Sequence, residues 1–271
     1  MKKELEPAEK AKPYAKYFSR PMAPVPQEIL DFLAKGPIDP ALALPVHRRN
    51  ELLNPGYLPA EMGYCLMPDG SGFVAMLTRM PGVTAEMINW WFAWHGLEGL
   101  RYKIWDPDDH YDVRVREEDL PRRLDPGLDT RERNWGTTDI VYEDVGTGPM
   151  ELFISFLSPE DFGYEMDRFR APNVLTAVSA NLGLNEPKTP LATFTHFARE
   201  IPGGIELRSR FWLGWNIVNR QPVRVAGTIP LELARGLAYH CTKEYTNLAA
   251  ILPKVYEENA NVADKLEDFR K

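Results

Sequence analysis

The chain has 271 residues, 44% hydrophobic and 11% aromatic, enough for one large domain with its own core. A formal net charge of −7, with no basic run and no arginine or lysine stripe interleaved with aromatics, argues against nucleic acid as a partner. No apolar stretch approaches the length of a membrane span and the first ten residues hold no apolar export region, so a soluble cytoplasmic protein with no membrane partner is expected. Residues 1–60 are rich in proline and charge and read as an N-terminal arm that packs on the main body or on a second subunit. One short helix is predicted at 26–34, closed by Gly36, after which Pro40, Pro45, Pro55 and Pro59 exclude a long helix. The main domain is expected at 61–271. Strands at 61–67 and 72–80 flank the turn residues Pro68, Asp69, Gly70 and Ser71, a hairpin signal. Thr84 then caps an apolar helix at 85–95 that Gly96 stops. Further strands are predicted at 138–145, 150–157, 173–182, 191–200 and 205–215. The last two share a short link containing Pro202 and two glycines, which favours antiparallel order. A long helix from about 230 to 258 ends the series. Strands followed by one long helix imply an α+β domain whose curved antiparallel sheet wraps that helix and leaves a cavity between them.

The C-terminal helix carries the most informative residues. On a 3.6-residue period Leu233, Leu237, His240, Glu244, Leu248 and Ile251 share one face, so His240 and Glu244 occupy two otherwise apolar positions. A buried imidazole beside a buried carboxylate needs partners, and a divalent metal satisfies both. A surface pair, or a buried histidine–glutamate hydrogen bond without metal, is the plainer alternative. A four-donor site needs further nitrogen or carboxylate ligands. His110 follows the turn-forming Asp106, Pro107, Asp108 and Asp109, which would present its imidazole at the rim of a pocket. Glu143 lies on a predicted strand in phase with Val141, which favours the inside, with Asp144 facing out. His196 alternates with Phe194 and Ala198 in mid-strand, as either a structural histidine or a general acid or base lining a cavity. His95 reads as a helix C-terminal residue, and His47 in the arm has no assigned role. Cys65 and Cys241, without any zinc-ribbon spacing, read as packed thiols.

Together these residues resemble a family. The block from Trp90 through His95 and Tyr102 to His110, then His196 and Arg199, then Glu206 to Trp215, and finally His240 and Glu244 are similar to the 2,4-diacetylphloroglucinol hydrolase and phloretin hydrolase family. The resemblance covers roughly residues 60–260. It implies a helix-grip fold of the Bet v 1 type and cleavage of the carbon–carbon bond between an acyl group and a phenolic or cyclic diketone ring. It also implies one zinc ion held by His110, Glu143, His240 and Glu244, with Glu132 as a possible substitute for Glu143. Tyr102 would contact the phenolic ring, and His196 would be the non-ligand pocket histidine. Two departures are expected to alter substrate contacts: Val113 stands where family members carry asparagine, and Phe211 where they carry tyrosine. Both remove hydrogen-bonding groups, which points to a less hydroxylated substrate.

Two other function classes fit parts of the pattern. Helix-grip cavities can carry small aromatic or polyketide ligands without chemistry, and two histidines with a carboxylate also suit a non-haem iron oxygenase. A buried set of two histidines and two glutamates favours the hydrolase over a carrier, and four protein ligands leave little room for oxygen beside substrate. The proline-rich arm and the resemblance together make a homodimer the expected assembly.

Overall fold

The computed structural model describes residues 4–266 and 269. Two short helices, α1 (Pro7–Lys10) and α2 (Ala15–Ser19), precede α3 (Gln27–Ala34), and a 3-10 helix follows at Val46–Leu53. Next come β1 (Gly63–Leu66), β2 (Gly72–Pro81), α4 (Ala85–His95), α5 (Gly99–Lys103), β3 (His110–Val115) and α6 (Leu120–Arg123). A meander follows through β4 (Thr138–Asp144), β5 (Pro149–Leu157), β6 (Thr176–Leu184), β7 (Thr189–Ile201) and β8 (Gly204–Leu213). A small hairpin, β9 (Trp215–Val218) with β10 (Gln221–Arg224), leads into α7 (Leu231–Asn259).

The eight strands form one antiparallel sheet in the order β1-β2-β8-β7-β6-β5-β4-β3. Because β2 pairs with β8, the first hairpin joins the last strand of the meander, and the chain between β2 and β3 must cross over as α4 and α5. Helix α7 lies in the concave face against β1, β2 and α4. This is the α+β helix grip expected from the sequence. The turns have the expected chemistry: Gly70 and Gly203 take φ values of 80° each, which only glycine adopts freely, and Asp69 accepts the Ser71 amide at 2.9 Å.

Packing divides between the two faces of the sheet. Inside, Trp91, Tyr245, Leu248, Ile251 and Leu207 join a large apolar cluster between α4, α7 and the strands. Outside, Phe73, Phe197 and Trp212 would face water were they not covered by Leu44, Val46 and Leu52 of the arm. The arm therefore packs on its own body. Trp212 Nε1 donates to the Leu44 carbonyl at 2.7 Å, and Arg208 and Arg210, both buried on the outer face, converge on Glu61.

Several elements depart from the sequence reading. The expected turn ends at Asp109 and feeds directly into β3, so His110 opens a strand. The strand expected at 205–215 stops at Leu213, since Gly214 at φ 92° turns the chain into the unpredicted β9–β10 hairpin. Among the described residues no helix is long and apolar enough to cross a membrane. Cys65 and Cys241 are free, buried thiols.

Candidate metal centre and cavity

Three elements bring four polar side chains to one buried point. His110, at the start of β3, sits directly opposite Glu143 on β4 in the strand register. Facing residues on neighbouring antiparallel strands hold their Cβ atoms about 4.5–5.5 Å apart, so the register alone makes these two side chains neighbours. His240 and Glu244 reach them from α7, one turn apart on the inward face. His110 Nε2 lies 3.4 Å from His240 Nε2, 3.5 Å from Glu143 Oε2 and 3.6 Å from Glu244 Oε2. His240 Nε2 lies 3.9 Å from each glutamate. The donor atoms of His110, Glu143 and His240 all fall within 4.8 Å of one another. Glu244 joins them through its distances to the two imidazoles. Glu143 faces inward as its phase with Val141 predicts, while Asp144 turns out to accept the amides of Gly146 and Gly148. Glu132 is not part of the cluster; its carbonyl accepts from Arg122 and its side chain stays half-buried.

The hydrogen bonds fix which way the ring nitrogens work. His110 Nδ1 faces the Tyr102 carbonyl at 3.2 Å, and a carbonyl can only accept, so the proton sits on Nδ1 and the Nε2 lone pair points into the cluster. His240 Nδ1 faces Asp109 Oδ2 at 3.5 Å, which favours the same arrangement there. Two lone pairs and two carboxylates thus converge in a buried space, a set of acceptors that a cation holds together. Bonds of about 2.0–2.1 Å to a tetrahedral zinc ion would place neighbouring donors roughly 3.3–3.4 Å apart. The five separations that involve an imidazole start at that value and run to 3.9 Å, so these donors fit such an ion.

The electrostatics agree with this reading. Burial, above all, pushes Glu244 well above the usual carboxylate range, with Glu143 adding to the rise and His240 opposing it. Burial likewise raises Glu143 against the pull of His240. Burial and then His240 push His110 well below the ordinary imidazole value. For His240, burial disfavours charge, yet Glu244, Asp109, Glu143 and Asp106 outweigh it and raise the ring to about 9. The cluster draws positive charge to itself.

A second layer holds these groups. Lys243 pairs with Asp109 and lies 3.2 Å from Asp106, whose Oδ1 also accepts the amides of Asp108 and Asp109 at 3.1 and 3.2 Å. Tyr102 stacks on His110 with ring centroids 3.9 Å apart and donates its hydroxyl to Glu143. Trp105 Nε1 donates to the Glu244 carbonyl at 3.1 Å. Of this layer the sequence reading named Tyr102, as a contact of the phenolic ring, and missed Asp106, Asp109, Lys243 and Trp105, although Lys243 sits about one helical turn beyond His240 and the acidic turn abuts His110.

Glu143, His240, Glu244 and Tyr102 border a cavity of about 100 Å³ between α7 and the sheet. Most of the wall is apolar, with Val141, Leu152, Leu213 and Leu237 among its residues. His196 and Phe211 both line it, their rings 5.5 Å apart, and His196 Nδ1 is 2.8 Å from Ser209 Oγ. Burial lowers His196 to about 3, so the ring is neutral. Val113 corrects an expectation: it is buried in the inner core but does not border this cavity, because β3 is the sheet edge and Val113 flanks a different cleft beside Gly99 and Asp112. His110 corrects another, since its side chain is fully enclosed behind Tyr102 instead of standing at a pocket rim. His95 does end α4, but it is buried and lines the cavity, a position the sequence reading did not give it.

Residues 44–257 match the family described as DAPG hydrolase PhiG domain. The chain belongs to this family. It is 39% identical to the phloretin hydrolase of Eubacterium ramulus, over 92% of this chain and 91% of that one. A 2,4-diacetylphloroglucinol hydrolase of a Pseudomonas species is 34% identical, over 91% of this chain and 88% of the relative. Among solved structures, Ara h 8.0201 overlays with a TM-score of 0.39 at 9% identity, covering 70% of this chain and all of that one. As a member of the DAPG hydrolase family, the chain is a hydrolase, and the match spans every residue of the four-sided cluster and of the cavity wall.

Proposed function

We propose that this protein is a zinc-dependent hydrolase that cleaves the carbon–carbon bond between an acyl group and a phenolic or cyclic diketone ring, releasing a carboxylic acid. One observation carries the reading: the imidazoles of His110 and His240 lie 3.4–3.9 Å from each other and from the carboxylates of Glu143 and Glu244 beside an apolar cavity, in a family whose relatives are named for acylated phenols. When bound, the ion would polarise an acyl oxygen and lower the pKa of a bound water.

The chain's own residues define the rest. Expelling an aryl carbanion directly is prohibitive, so the ring must first take its keto form. Water then adds to the acyl carbon, the bond to the ring carbon breaks, and its electron pair ends on the ring oxygen as an enolate. The proton that the acyl-bearing ring carbon takes up in reaching the keto form stays there, the enolate oxygen takes the proton that the hydrated acyl group gives up, and the acyl group leaves as the acid, a retro-Claisen cleavage. Tyr102, which donates its hydroxyl proton to Glu143 and lines the cavity, would accept a hydrogen bond from the ring hydroxyl and so tie ring position to the carboxylate. His196, neutral and held by Ser209, would carry a proton between water and the ring carbon at Nε2. Phe211 beside it offers no hydrogen bond, so a ring bearing fewer hydroxyls is favoured there. The apolar walls exclude bulk water, which strengthens each of these contacts.

The division into an arm at 1–60 and a catalytic domain at 61–271, a homodimer, and a cytoplasmic setting belong to the same proposal. Elemental analysis of purified protein tests its core: about one zinc per chain is expected, together with acid release from acylated phenols. Metal-free protein that cleaves these ketones at the full rate would refute it.

A further inference from the structure

His95 is a buried side chain that the cleavage outlined above does not use. It closes α4, is 3% exposed, and lines the same cavity as Tyr102 and Phe92. Its Nδ1 lies 2.8 Å from the Trp91 carbonyl one turn back. That carbonyl only accepts, so the proton is on Nδ1 and Nε2 carries a lone pair. Among the described residues nothing donates to Nε2. Burial, followed by the nearby Arg123 guanidinium, keeps the ring neutral by lowering it to about 3. An acceptor of this kind, on a residue that lines a cavity, has a role when a ligand brings a donor to it.

Its location selects the donor. The rings of His95, Tyr102 and His110 form one stack, with centroids 5.9 Å and then 3.9 Å apart and interplanar angles of 22° and 1°. His95 is two rings away from the metal cluster, out of hydrogen-bond reach of an oxygen seated there, yet on the wall against which a flat ligand ring would lie. We propose that His95 is a substrate-recognition residue whose Nε2 accepts a hydrogen bond from a ring hydroxyl remote from the acyl group. The inference rests on the acylphenol reading for its ligand class and assigns that class a required donor at one ring position. Phe211 itself offers neither donor nor acceptor to a ring hydroxyl, which leaves that recognition to His95 elsewhere in the lining.

The test is a binding comparison that does not depend on turnover. Calorimetry with 2,4-dihydroxyacetophenone and with 2-hydroxyacetophenone, which lacks the remote hydroxyl, should show about tenfold tighter binding of the first by the natural protein. His95→Phe keeps the ring and removes the acceptor, and should bind the two alike while melting as a folded protein. His95→Gln, which restores an acceptor oxygen, should recover part of the preference. Equal binding of both ketones by the natural protein, or an unchanged preference in His95→Phe, overturns the proposal. Should His95→Phe fail to fold, the natural protein and His95→Gln decide the matter. Acid release is followed separately: no cleavage of either ketone would count against the hydrolase reading and leave the binding preference standing.

Discussion

Glu244→Gln should have opposite effects on the empty protein and on its metal complex. The residue is 6% exposed, and burial raises its carboxyl well above the normal range. A group whose folded-state pKa is raised destabilises the fold once the pH exceeds its unfolded value, because the unfolded chain ionises first. Replacing it with a neutral amide of the same shape should therefore stabilise metal-free protein at pH 7 by roughly 1–3 kcal/mol. For a chain of this size each kcal/mol moves the melting temperature by about 2–4 °C, so a rise of several degrees is expected. The gain should fade as the pH falls into the ordinary carboxylate range, where Glu244 is protonated in both states. Metal reverses the order of effects. At about 1,000 times the dissociation constant a bound ion adds roughly 4.1 kcal/mol, whereas a variant bound about 100-fold more weakly would gain only about 1.4 kcal/mol at the same concentration. The zinc-induced rise in melting temperature should then be smaller by roughly 5–11 °C. Differential scanning fluorimetry with chelator and with added zinc reads both effects. An equal zinc-induced shift in the two proteins, or a metal-free variant less stable than the natural chain, would refute the reasoning.

The other predictions address neighbouring parts of the structure. His196→Gln should retain its metal by elemental analysis and lose about 10²–10⁴-fold in kcat, as expected for a proton carrier that is not a ligand. Glu61→Gln should cost about 3–5 kcal/mol in denaturant melts, because Arg208 and Arg210, both buried, share that one carboxylate. Burial raises Glu61 but Arg210 and Arg208 outweigh it and hold it low, so its contribution should be present above the ordinary carboxylate pKa and vanish as the pH falls through the depressed one. In Gly236→Ala the usual helix gain of about 1 kcal/mol should be overcome, because the new Cβ would collide with the Val145 carbonyl, and both stability and zinc affinity should fall.

The residues of the centre differ in how far sequence alone could expose them, and the reason is periodicity. His240 and Glu244 stand out because they interrupt an apolar stripe with a known 3.6-residue repeat, and Glu143 is oriented by its two-residue phase with Val141. His110 has no such frame. The β3 register shifts between His110 and Asp112, so the alternation of Asp112, Val113, Arg114 and Val115 does not extend back to it in phase. The same irregularity at a sheet edge leaves Val113 buried without a place on the cavity wall. His95 was hidden for a different reason: α4 runs Trp90, Trp91, Phe92, Ala93 and Trp94 with apolar side chains on every face, so no stripe says which side of the helix looks into the cavity. Only the crossover that lays α4 over the sheet, itself set by β2 pairing with β8, determines that His95 and Phe92 point the same way. Local pattern thus locates groups carried by regular elements, whereas groups at element ends depend on the topology that brings those ends together. Asp106, Asp109 and Lys243 follow the second rule: the acidic turn and the helix lie more than 130 residues apart, and nothing short of their packing reveals that one lysine holds both carboxylates beside His240.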